Sequence, residues 1–115
     1  MRRGEIRLVG LDPVVGTESA RTRPAVIVSN DGASTIAALL ERGVVTVVPV
    51  TSNTDVIHPF QVMLEADSTG LRIDSKAQAE QIRSVDVRRI GSLVGMVPLN
   101  LMAQIDDAMR LHLEL

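Results

Sequence analysis

Ile6, Leu8 and Gly10 alternate with Arg7 and Val9, so Glu5 to Leu11 reads as a strand that Asp12-Pro13 ends. Residues 12–22 follow as a polar loop punctuated by Pro13, Gly16, Thr17 and Ser19. Ala25 to Ser29, with Val26, Ile27 and Val28 at its centre, predicts a second strand. Ile36, Leu39 and Leu40 fall at helical spacing, which predicts a helix capped by Asp31, running through Leu40 and ended by Gly43. Val44 to Val50 is a near-continuous apolar run, the pattern of a strand buried on both faces. A polar loop over residues 51–58 leads through Pro59 to a fourth strand, Phe60 to Leu64, and Ala66 to Gly70 turns the chain. Leu71 to Ser84 carries two readings: helix by propensity over Ser75 to Arg83, or strand by the loose alternation of Ala77 and Ala79. The strand is preferred, with a single helical turn over Val85 to Arg89. Leu93 to Val97 is a short strand. Pro98 then opens a helix with Leu101, Ile105, Ala108 and Met109 on one face and Asp106, Asp107 and Arg110 on the other.

Many short strands closed by one helix predict a mainly β architecture: a small, twisted, partly open barrel with a C-terminal α-helix. No repeat, low-complexity tract or linker interrupts the chain, so residues 1–115 are expected to form a single domain.

Composition narrows the chemistry. The 115 residues include no cysteine, which excludes disulfides and thiolate metal sites and fits a reducing, cytoplasmic setting. No apolar run approaches about 18 residues, so no membrane span is expected, and no apolar core follows the first residues as in a secretory signal. The net charge of −2 is not that of a general electrostatic nucleic-acid binder. Its distribution is uneven: Arg2, Arg3, Arg7, Arg21 and Arg23 face only Glu5, Asp12 and Glu18 over residues 1–23. Lys76 is the only lysine, and arginine offers a planar fork suited to phosphate or carboxylate. Phe60 is the only aromatic residue, which excludes a platform of several stacked rings.

The stretch from Arg21 to Asn30 organises the chemistry. Pro24 suits the first residue of a strand and biases Arg23 toward extended backbone, which holds a cation at a strand mouth. Val44 to Val50 ends in Thr51-Ser52-Asn53, so Arg23 and Thr51 meet at one edge if their strands share a sheet. Taken alone, Arg23 also fits a strand-edge salt bridge and Thr51 an ordinary strand former. Thr17, Ser52, Asn53, Gln78, Gln81 and Arg83 have the polar groups to read base edges, though each taken singly fits an ordinary loop or strand-edge residue better, and Lys76 and Arg83 fit either a phosphate contact or a solvated cation. His58 sits in a loop and His112 on the last helix. Two separated histidines without an acidic cluster predict no metal site, and no cofactor motif is present.

The order of these segments resembles one family. Arg3-Gly4-Glu5-Ile6, Leu11-Asp12-Pro13, Gly16-Thr17-Glu18, Arg23-Pro24-Ala25-Val26 and Val48-Pro49-Val50-Thr51-Ser52 follow the pattern of the MazF/PemK toxin endoribonucleases of type II toxin–antitoxin pairs. Glu80-Gln81-Ile82-Arg83 and the last helix also fit. The resemblance implies an SH3-like barrel that dimerises and cuts single-stranded RNA, chiefly messenger RNA, without a metal. The expected products are 2′,3′-cyclic phosphate and 5′-hydroxyl ends, and a MazE-like antitoxin with an acidic tail is the expected partner. The family's catalytic arginine falls on Arg23, its catalytic threonine or serine on Thr51, and its loop glutamate on Glu18, as a proton acceptor or as a support for Arg23. His58, a lone loop histidine before Pro59, is either a further RNA contact or, more commonly for such a residue, incidental. Arg7 stands where the family usually has an aromatic residue. Met96, Leu99, Leu101, Met102 and Met109 offer apolar surface for the dimer. The alternative is a non-catalytic CcdB-like toxin directed at DNA gyrase. That family depends on a terminal Trp-Gly-Ile, where this chain reads Leu113-Glu114-Leu115.

Overall fold

The computed structural model describes residues 1–11 and 22–115. In chain order the elements are β1 (Glu5–Gly10), β2 (Thr22–Ile27), α1 (Asp31–Leu40), β3 (Val44–Thr51), β4 (Gln61–Leu64), α2 (Ala66–Thr69), β5 (Ser75–Gln78), β6 (Arg83–Asp86), β7 (Ile90–Met96) and α3 (Leu99–Leu113). The strands form one seven-stranded sheet in the order β4-β5-β3-β2-β1-β7, with β6 also paired to β3. Every pairing is antiparallel. The sheet does not close, because β4 and β7 remain its outer strands. This is the mainly β, partly open arrangement with a C-terminal helix that the sequence predicts.

β3 is apolar along its length because both of its faces are covered. Val48 and Val50 join Val26, Leu64, Met102 and Ile105 in a core under α3. Val45 and Val47 join Ala25, Ile27, Ala37 and Val85 in a second core under α1. Each fully buried valine or isoleucine contributes roughly 1.5–3 kcal/mol through removal of apolar surface from water. Val44 alone stays exposed at the strand's start.

The edges of β3 are as occupied as its faces. One edge pairs with β2, Ala25 opposite Pro49 and Ile27 opposite Val47. The other edge is shared: Val44 to Val47 pair with β6, and Val50 and Thr51 pair with β5. Between β5 and β6 a 3-10 turn, Ala79–Gln81, steps out of the ladder. Pro49 sits opposite that gap. The Val28 N–H donates to the Thr46 carbonyl, so even-numbered residues of β3 turn their backbone to β2 and odd-numbered ones face away. Pro49 therefore lacks its donor where no partner strand needs one.

Several boundaries differ from the sequence reading. β2 begins at Thr22, three residues before Ala25, because Thr22 and Arg23 pair with Gly10 and Val9. Asn30, not Asp31, caps α1: its side chain accepts the Ala33 N–H at 2.8 Å. Asp31 instead accepts the Arg3 N–H at 2.6 Å. α1 turns its small residues Ser34 and Ala37 to the sheet and leaves Ile36, Leu39 and Leu40 exposed. Within Leu71 to Ser84 the strand reading holds from Ser75, as β5 and the start of β6 split by the 3-10 turn, and the turn expected over Val85 to Arg89 is a 3-10 turn at Val87–Arg89. In α3, Met102, Ile105 and Ala108 are buried, so Met102 belongs to the core and not to the free surface expected of it. Leu101 and Met109 pack against that core, while Leu99 and Met96 stay exposed.

The start of the chain clasps these layers together. Gly4, at φ +95°, donates its N–H to the Ile27 carbonyl and accepts the Val97 N–H, joining the ends of β2 and β7. Arg3 reaches across the same seam, its guanidinium donating to the Val28 carbonyl at 2.8 Å and to Asp106 of α3 at 2.5 Å. Next to it Glu5 is buried, accepting from the Arg2 N–H and the Arg7 guanidinium. Burial pushes the Glu5 carboxyl up, but the Arg7 hydrogen bond and the Arg2 N–H outweigh it and hold its pKa below the ordinary value. Arg7 also donates to the Gly91 carbonyl of β7, so the residue at the family's aromatic position is a strand-to-strand tie.

Two outcomes follow from this packing. A Cβ on Gly95 would run into the Thr69 carbonyl oxygen, where α2 presses on β7, so Gly95→Ala should lose about 1–3 kcal/mol in urea unfolding. A carboxyl held low in the folded state stabilises above its unfolded pKa and loses that contribution as pH falls through its folded value. Wild-type stability should therefore drop on acidification below about pH 4, and Glu5→Gln, weaker at neutral pH, should drop less over the same interval.

Candidate functional site

Two prolines open the site. The even-numbered residues of β2 turn their backbone toward β3, since Val28 donates there. Pro24 has no N–H to give, and the β2–β3 ladder ends at Ala25 opposite Pro49. Continuing that register by two residues brings Arg23 opposite Thr51, past the last paired residues. The strand ends separate there and leave a cleft of about 500 Å³. Its polar groups are Arg23, Thr51, Ser52, Arg72 and the buried Ser75, and its walls are mainly aliphatic, with Leu8, Pro24, Leu71, Ile73 and Val94 among them.

Arg23 also lines a second cleft of about 330 Å³, with Gln78, Gln81 and Arg83 as its other polar groups. This cleft is the hollow left where β5 and β6 part around the Ala79–Gln81 turn. The Arg23 guanidinium thus stands between an aliphatic cleft and a polar one. It is exposed, and among the described residues no acidic group lies within 4.0 Å of it.

The loop after β3 is braced from inside. Thr51 Oγ1 accepts the Asn53 N–H at 3.3 Å, and Asn53 Oδ1 accepts the Asp55 N–H at 3.2 Å. The Thr51 hydroxyl proton is left to donate elsewhere. Lys76, directly across from Thr51 in β5, is buried, and its Nζ donates to the Val56 carbonyl at 2.7 Å. Farther along, the His58 ring stacks on Phe60 with centroids 5.2 Å apart. The His58 N–H donates to Gln61 Oε1, and Gln61 Nε2 donates to Glu80 Oε2 at 2.6 Å.

The expected residues are therefore distributed as follows. Arg23, Thr51 and Ser52 share the aliphatic cleft; Gln78, Gln81 and Arg83 share the polar cleft with Arg23. Asn53 shapes the loop through its side chain. His58 lines neither cleft, and Lys76 is turned inward to the loop and away from solvent, which removes it as an exposed phosphate contact. Glu18 and Thr17 lie outside the described residues. Arg72, Leu71 and Ile73 were not anticipated; they belong to the stretch whose pattern fitted neither strand nor helix well. Among the described residues no three of His, Asp and Glu gather as a metal ligand set.

Lys76→Met keeps the buried stem and removes the ammonium. Val56 is half exposed, so its carbonyl can take water in exchange. The variant should unfold within about 1 kcal/mol of wild type, while amide exchange over residues 54–57 accelerates about tenfold, the scale of one lost charged hydrogen bond.

Comparison with known proteins adds a second line of observation. The family model described as PemK-like, MazF-like toxin of type II toxin-antitoxin system matches residues 2–113. Endoribonuclease MazF9 of Mycobacterium tuberculosis is 56% identical over 115 residues, which covers 100% of this chain and 98% of the relative. Endoribonuclease PemK of Escherichia coli is 33% identical over 106 residues, 91% of this chain and 76% of the relative. A solved MazE-MazF structure from Deinococcus radiodurans superposes with a TM-score of 0.80 at 24% identity, over 100% of this chain and 96% of that one. The last comparison shows the same fold.

Proposed function

This chain belongs to the PemK/MazF family of type II toxins, and from that premise we propose that its paired clefts bind single-stranded RNA and cut it beside Arg23 and Thr51. The protein is an endoribonuclease toxin. The observation that carries the site reading is the placement of Arg23 and Thr51 at the separated ends of β2 and β3, in one cleft.

In the proposed reaction the 2′-hydroxyl oxygen attacks the adjacent phosphorus and the 5′-oxygen leaves. A 2′,3′-cyclic phosphate and a 5′-hydroxyl remain, and one proton moves from the attacker to the leaving oxygen. Charge accumulates on the phosphoryl oxygens as the fifth bond forms. Arg23, a fixed cation with a fork of donors, stabilises that charge. A guanidinium is a poor proton shuttle near neutral pH, so proton transfer is its secondary task. Thr51, whose oxygen already accepts from Asn53, donates its hydroxyl proton to a phosphoryl oxygen. Ser52, Gln78, Gln81 and Arg83 contact flanking nucleotides, and Glu18 and Thr17 are assigned to the site on the family pattern alone. His58, exposed beside Phe60, contacts RNA beyond the clefts. The reaction is assigned to the cytoplasm, on messenger RNA, where cutting stops translation and growth.

A MazE-like antitoxin is the natural partner, its acidic tail matched to Arg23, Arg72 and Arg83 in the clefts. We also assign a homodimer. Leu93 and Met96 on the outer strand β7 and Leu99 at the start of α3 remain exposed apolar side chains. The CcdB-like alternative finds no support among the relatives or the solved structures.

The test is cleavage of diverse RNAs by purified protein in excess EDTA, with fragment ends mapped. Arg23 is exposed and makes no described tie, so Arg23→Ala should fold like wild type. It should lose activity by about a hundredfold or more, the scale of a single transition-state donor. Retained cleavage by that variant would remove Arg23 from the mechanism.

A further inference from the structure

We propose that the two clefts flanking Arg23 are chemically distinct base subsites on opposite sides of the cut bond. The aliphatic one seats a base by shape, and the polar one reads a base edge by hydrogen bonds. This rests on the ribonuclease reading above and adds to it the division of specificity between two groups of residues.

Arg23 and Val50 are the residues that line both clefts, so a strand crossing from one to the other passes over the Arg23 guanidinium. Cations mark the whole route. Arg72 stands in the aliphatic cleft and Arg83 in the polar one. Both are exposed, and among the described residues neither has an acidic partner within 4.0 Å. Three guanidiniums with no acidic partner among the described residues suit a polyanion laid along that line.

The walls differ in what they can recognise. Leu8, Leu71, Ile73 and Val94 offer no ring for stacking and no donor or acceptor on their side chains. Such walls discriminate by size and fit. A cleft of about 500 Å³ lies within the range of sites that enclose small molecules. Across Arg23, Gln78 and Gln81 present amides, each with both donors and an acceptor. Amides read a base through paired hydrogen bonds to its edge, and they reject a base that leaves them unpaired. One site thus carries a shape filter on one side and a hydrogen-bond filter on the other.

The experiment is a cleavage map on a randomised RNA library, comparing wild type with Ile73→Ser and Gln81→Ala. Both residues are exposed, so both variants keep the fold. Each variant should flatten the base preference by about tenfold at one position, and the two positions should lie on opposite sides of the cut. Flattening on the same side, or an unaltered map in either variant while wild type still cuts at a defined motif, overturns the two-subsite proposal and leaves the ribonuclease reading standing. Failure of folded wild type to cut any member of the library overturns the ribonuclease reading and this proposal with it.

Discussion

The structure depends on the enclosure of β3 beyond its exposed first residue, Val44. A strand covered on both faces and paired on both edges leaves no backbone group for water to satisfy, so every one of its donors and acceptors must be met by a neighbour. β2 supplies one edge, and β5 and β6 divide the other. α1 and α3 close the two faces. The one residue in this strand without a donor, Pro49, falls where the second edge changes partner. The chemistry begins where this enclosure ends, at Thr51. The reactive edge is thus a by-product of how the central strand is terminated, and Pro24 ensures that β2 releases it at the same level.

Two sets of arginines differ in what holds them. Arg3 and Arg7 are tied to backbone carbonyls and carboxylates across strand ends, and their charge is consumed in holding layers together. Arg23, Arg72 and Arg83 line the clefts, and none of them has an acidic partner within 4.0 Å among the described residues. The replacement of the family's aromatic by Arg7 is intelligible in these terms. The side chain at that position joins β1 to β7 through Glu5 and Gly91, so the substitution is absorbed in the scaffold and leaves the Arg23–Thr51 edge as it was.

Legibility in the sequence followed the strength of the local pattern. β3 is readable because Val44 to Val50, five valines interrupted only by Thr46 and Pro49, has few alternatives, and Arg23 and Thr51 are readable because a proline and a strand end bracket them. α1 was found by its apolar spacing, yet that spacing marks the outward face. Ser34 and Ala37 face the sheet because small side chains allow close approach, and small residues carry little periodic signal. The 71–84 stretch was ambiguous because a three-residue 3-10 insertion breaks the alternation of a strand without creating a helix. The Arg72 and Ile73 contributions to the cleft were hidden there. Lys76 read as a surface cation because its partner is a backbone carbonyl twenty residues away, which no composition reports.

The inward turn of Lys76 has a consequence for how the protein meets the chemistry of a cell. It is the chain's sole lysine, and its amine is sequestered under the loop that follows β3. Acetyl, succinyl and similar groups that accumulate on exposed lysines find no side-chain acceptor on the folded surface. The cationic groups that face solvent are guanidiniums, which keep their charge at any physiological pH and resist acylation. Charge at the clefts is therefore insulated from metabolic acyl donors, and neutralisation has to come from an opposing anion.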